Sequence, residues 1–246
     1  MVQRPNFKHV LRVRRHQPTR LEGFIDSAFA FAITLVVIST GHAPTSVSEM
    51  LQSLRGLPTF AACFLLIARF WASHRDWSRH YDLEDATGVA LSLLLVFLVL
   101  IYVYPLHLLF AFLFAGLSHS WLMDQNIDLH DVWQLRAAYI VYGVGFLAIA
   151  LVFAQLFRHA LKRGAEIGLD AAERVVTQMR AALWLWTGAV ALLSILLALL
   201  LPFDSINTAV ASLPGQVYVL IFFVRPFLRR IYARRLPAQP AGSNPA

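Results

Sequence analysis

Apolar residues in this chain are gathered into blocks separated by short polar stretches. Crossing a bilayer as an α-helix takes about 20 predominantly apolar residues. Six blocks approach or reach that length: 23–39, 57–73, 87–104, 137–157, 181–201 and 209–224. Pro58 stands near the start of the second block, where proline is tolerated, and Pro202 stops the fifth. The third block meets Pro105 and is expected to continue, kinked, through Phe114. The sixth is short and interrupted by Pro214 and Gly215.

The pattern predicts an all-α integral membrane protein with six transmembrane helices. Residues 1–22 read as a basic amino-terminal segment, 23–224 as the six-helix domain, and 225–246 as a basic, Pro/Ala-rich tail. The first block has no small-residue cleavage pattern behind it and is read as a retained helix. The loop 117–136 carries Asp124, Asp128 and Asp131. It reads as a solvated acidic loop, with cation attraction at a pore mouth as the alternative.

Composition agrees: 58% of the 246 residues are hydrophobic and only 14% charged, against about a quarter charged in soluble domains. Charge then sets the topology. Of 21 Lys and Arg, 18 fall before the first block, between the second and third, between the fourth and fifth, or after the sixth. Only Arg55 and Arg136 fall on the other side, and Arg69 lies within the second block. Basic residues collect in cytoplasmic loops, so both termini are expected in the cytoplasm of a cell-membrane, multi-pass protein. The same rule accounts for the net charge of +7 without nucleic acid as a partner. One cysteine, Cys63, excludes an intramolecular disulfide and a multi-cysteine metal site.

The first block, RLEGFIDSAFAFAITLVV, contains an aspartate, Asp26. At about 100° per residue, Phe24, Phe31, Leu35 and Ile38 share one narrow face, flanked by Ser27, Ala28 and Thr34. Asp26 points nearly opposite. A carboxylate in a membrane helix calls for a partner. Arg69, Trp71 and His74 on the second block lie at similar depth; Arg69, His74 or the Arg20 of a neighbouring helix are candidate partners, and snorkelling to the interface is the alternative.

Arg20-x-x-x-Phe24-x-Asp26, followed by AFAFAITLVV, resembles the signature of the transmembrane protein 175 family of potassium channels, Arg-x-x-x-Phe-Ser-Asp. Trp71-x-x-His74, closing the second block, is similar to a pair that family members carry there. The resemblance implies a homotetramer around a central pore lined by the first helix, with permeant potassium and no cofactor. It also implies a hydrophobic constriction of Phe31, Leu35 and Ile38, the same ladder the helical wheel gives. Thr34 would influence ion preference, and Arg20, Phe24, Asp26, Trp71 and His74 would form a polar network holding the first two helices in register. Two positions depart from the family pattern: Ile25 replaces the serine, and Phe31 replaces a smaller aliphatic constriction residue. The expected partners are potassium ions, the lipid bilayer and further copies of the chain. A proton-coupled or other secondary transporter, or a non-conducting structural membrane protein, are the alternatives. Haem is disfavoured because His74 and His107 fall at opposite depths. No catalytic constellation such as G-x-S-x-G is present, so an enzyme is not expected.

Overall fold

A computed structural model describes residues 10–39, 45–117, 132–201 and 213–237. The described residues are helical, without strands. Five long helices alternate in direction: α1 (Arg20–Ser39), α3 (Leu57–Tyr81), α4 (Ala86–Leu117), α5 (Val132–Lys162) and α6 (Ala171–Leu200). A short α2 (Val47–Ser53) is capped by Ser46, whose hydroxyl accepts from the Glu49 N–H at 3.1 Å. It leads into α3 through the tight turn Leu54–Gly56. Helix α7 (Leu220–Ala233) follows a second tight turn, Val217–Val219.

All five long helices are long and apolar enough to cross a membrane. The sixth expected span, 209–224, lies partly outside the described residues; its remainder is helical but runs on past 224 to Ala233. The acidic stretch with Asp124, Asp128 and Asp131 lies outside the described residues, as does most of the carboxy-terminal tail. Pro105 sits inside α4, so the third block continues past it.

Helix α3 carries polar ties to its neighbours. Its polar residues at 71, 74, 77, 78 and 81 between them reach four neighbouring helices. Trp71 bonds Asp26 on α1, and His74 bonds Ser92 on α4. The Trp77 indole donates to the Leu156 carbonyl on α5 at 2.9 Å. Ser78 donates to Glu22 on α1, and the Tyr81 hydroxyl meets Thr177 on α6 at 2.8 Å. Every one of these groups would be costly in lipid without its partner.

Helices α5 and α6 pack closest. Lipid tails supply no hydrophobic drive between helices, so close approach depends on small residues at the contact. A Cβ on Gly143 would stand 2.5 Å from Cγ1 of Ile195 on α6, and one on Gly145 2.5 Å from the Tyr102 ring on α4. Phe153 and Trp184 stack across this interface at 4.1 Å between ring centroids.

Candidate functional site

Helix α1 buries Ile25, Phe29, Ala32 and Val36 against α3 and α4. That spacing of four, three and four keeps one stripe turned inward. The face directly opposite carries Arg20, Gly23, Ser27, Phe31, Thr34 and Ile38, all exposed. Phe31 is 54% exposed and Ile38 60%. Leu35 recedes to the flank, half-buried against the core. The expected ladder of Phe31, Leu35 and Ile38 is therefore not evenly presented: Leu35 falls at the edge of that face nearest the buried stripe, and packing draws it toward the core. Thr34 and Ser27 sit at the centre of the exposed face instead.

Both hydroxyls are satisfied within the helix. Ser27 donates to the Gly23 carbonyl at 2.8 Å and Thr34 to the Ala30 carbonyl at 3.2 Å. Each retains acceptor capacity on the exposed side.

Asp26 lies at the border of the buried and exposed faces. Its partner is Trp71, whose indole Nε1–H donates to the carboxylate at 2.7 Å. Neither Arg69 nor His74 takes that role. The Arg69 guanidinium bonds Ser73 one turn along its own helix. His74 is buried and its Nε2 meets the Ser92 hydroxyl at 2.9 Å. The expected polar network is thus two separate bonds, one joining α3 to α1 and one joining α3 to α4. Arg20 and Phe24 are exposed on α1 and belong to neither. Ile25, where the family signature has serine, is 1% exposed and part of the core, so it adds apolar packing beside the Asp26–Trp71 bond.

A second network stands at the end of the bundle where α1 and α6 begin and α3 ends. Residues 10–19 run across this end as an extended strap. The Arg14 and Arg15 backbone N–H groups donate to the Arg79 carbonyl at 3.0 and 3.1 Å. The Arg14 guanidinium grips Glu173 through two bonds, at 2.7 and 3.0 Å, and reaches the carbonyls of Ile167 and His80. Glu173 is fully buried and also closes the capping box of α6 with Asp170. Arg15 bonds Asp82 at 2.6 Å and Glu84 at 2.5 Å in the turn between α3 and α4.

Burial alone would weaken the Arg15 charge, but the bonds from Glu84 and Asp82 outweigh it and hold its pKa above the ordinary value. Burial would likewise raise Glu84, yet the Thr19 hydroxyl and Arg15 hold it below the carboxylate norm. Asp85 is kept low against its burial by His159 and the Gly88 N–H. Sequence reading counted Arg14 and Arg15 only as topology-setting charges. The signal for more was the adjacent Arg-Arg pair just before α1, facing the acidic DLED turn at 82–85 and the D-x-x-E cap at 170–173.

The family model for the endosomal/lysosomal potassium channel TMEM175 matches residues 20–105, from the first residue of α1 through Pro105. A protein of Marivirga tractuosa described as a potassium channel is 31% identical over 94% of this chain and 92% of its own length. The chain belongs to the TMEM175 potassium channel family. Its fold agrees with the crystal structure of the potassium channel MtTMEM175, solved as a variant with a nanobody fusion. That match has 30% identity and a TM-score of 0.76, over 91% of this chain and 97% of the other. A lysosomal potassium-selective TMEM175 homolog from Chamaesiphon minutus matches at 25% identity with a TM-score of 0.50, over 85% of this chain and 96% of the other. TMEM175 proteins are channels rather than enzymes, and potassium is a permeant ion in them, not a catalytic cofactor. The matched span 20–105 contains both motifs, Arg20 to Asp26 and Trp71 to His74, and the bond that joins them.

Proposed function

We propose that this protein is a potassium-preferring channel whose pore is lined by α1 from each of four copies. The supporting observation is the exposed face of α1. A lipid-facing stripe would be apolar throughout. This one places Ser27 and Thr34 at its centre, with Arg20 at one end and Phe31 and Ile38 as the bulky side chains. Around a symmetry axis, weakly polar steps would alternate with apolar rings. Phe31 and Ile38 form the constriction and Leu35 buttresses it from the side. Ions pass when the constriction widens enough to wet. Thr34, between the two rings, tunes ion preference. The basic end, with the strap, faces the cytoplasm of the cell membrane, as the distribution of Lys and Arg supports.

Flux from liposomes holding the purified oligomer tests this. Potassium flux should exceed sodium flux, and Ile38→Ala and Phe31→Ala should each raise it. Leu35→Ala should change it less. Equal flux from the wild type and both alanine variants would remove α1 as the site of constriction.

A further inference from the structure

Between α3, α5, α6 and α7, at the basic end of the bundle, lies a cavity of about 440 Å³. Four arginines line it: Arg69 from α3, Arg180 from α6, and Arg225 and Arg229 from α7. The one carboxylate in its wall is Asp76. Among the described residues none of the four guanidiniums forms an ion pair. Among those residues Arg69 hydrogen-bonds the Ser73 hydroxyl, and Arg180 stands over the face of Phe157, 6.0 Å from the ring centroid. The Arg229 Nε is a buried donor with no acceptor among the described residues. Arg225 makes no hydrogen bond at all among the described residues.

Four cations gathered around one cavity repel one another, and a buried N–H without an acceptor is costly. The arrangement is completed by an anion that accepts from several planar guanidiniums at once, which is the geometry of a phosphate. The rest of the wall shows where that phosphate comes from. Met179, Leu183 and Trp184 line the same cavity. Arg69 lies twelve residues back from the end of α3 at Tyr81, about 18 Å along the axis, and Arg180 nine residues into α6, about 14 Å. A polar rim merging into an apolar wall, set back from the helix ends, matches a headgroup attached to acyl chains better than a free ion.

We propose that this pocket holds the phosphate of an anionic phospholipid headgroup, gripped by Arg69, Arg180, Arg225 and Arg229. Such a lipid would tie α7 to α3 and α6. The assignment does not depend on which helix lines the pore.

The test uses the full chain, purified and stripped of lipid in detergent, then titrated with dioleoylphosphatidylglycerol or dioleoylphosphatidylcholine and read by native mass spectrometry. The phosphatidylglycerol adduct should be retained several-fold more strongly than the phosphatidylcholine adduct. Arg225→Gln and Arg229→Gln should each weaken it by roughly fivefold, while the paired lysine variants should keep part of it. Equal retention of the two lipids, or retention unchanged by the glutamine variants, overturns the proposal. Inorganic phosphate displacing the lipid at low millimolar concentration overturns the lipid as occupant and leaves a free-ion site. If one glutamine variant does not fold, the other and the thermal stabilisation of wild-type protein by phosphatidylglycerol over phosphatidylcholine decide the matter; no difference in either overturns the site.

Discussion

At the scale of single residues, the Asp26–Trp71 bond explains how an aspartate is tolerated in the first apolar helix. A carboxylate there needs a donor, and the indole N–H supplies one at 2.7 Å without adding a second charge. Trp71→Phe removes the donor and keeps most of the ring. It should lower stability by about 1 kcal/mol, read as a drop in the melting temperature of the detergent-solubilised protein. Asp26→Asn retains an acceptor oxygen and should cost less. The Arg14–Glu173 pair predicts a larger effect. Glu173 is fully buried, so Arg14→Ala strands its charge and should cost about 3–5 kcal/mol. Replacing both partners with Met should recover most of that loss, and a double-mutant cycle of melting temperatures would show it. Glu84 gives the strap a pH dependence. Its folded-state pKa lies below the ordinary 4.5, so its contribution is complete at neutral pH. That contribution declines below about pH 4.5 and is gone once the pH falls through the lowered value. Proteolytic cleavage at Arg14 and Arg15 should therefore accelerate only under strong acidification.

At the scale of elements, α1 has three distinct faces rather than two. The helical wheel identifies Phe24, Phe31, Leu35 and Ile38 as one side and Asp26 as another. It cannot say which side meets the bundle, because Ile25, Phe29, Ala32 and Val36 are no more apolar than the ladder. Packing decides that, and it draws Leu35 half into the core. Cysteine substitution reads the faces directly. Ser27→Cys and Thr34→Cys should react with a charged thiol reagent and lose flux, and Ala32→Cys should stay inert. The native Cys63 is buried and should not interfere. The α4–α5 contact makes its own prediction. Gly145→Ala drives a methyl into the Tyr102 ring and should destabilise by about 1–3 kcal/mol, measured as lower thermal stability and oligomer yield. Apolar block length and proline placement made the long helices legible. The strap escaped because its partners lie some 65 to 160 residues away in sequence, and a lone pattern of arginines carries no register.

At the scale of the whole molecule, the supports are unevenly distributed along α1. The strap, Glu22–Ser78 and Asp26–Trp71 all act within its first two turns. Beyond Asp26, the residues that α1 buries against α3 and α4 are apolar: Phe29, Ala32 and Val36. Mechanically the polar bonds act as a clamp near one end of a rod, and the displacement of any point under a tilt about them grows with its distance from the clamp. Phe31 lies about 16 Å from Arg20 along the axis and Ile38 about 27 Å. A tilt of about 5° moves the first by roughly 1.4 Å and the second by roughly 2.4 Å. The same small rotation is thus amplified with distance from those bonds. If Phe31 and Ile38 line the pore as proposed, a single pivot would open their two rings by unequal amounts, the farther one first.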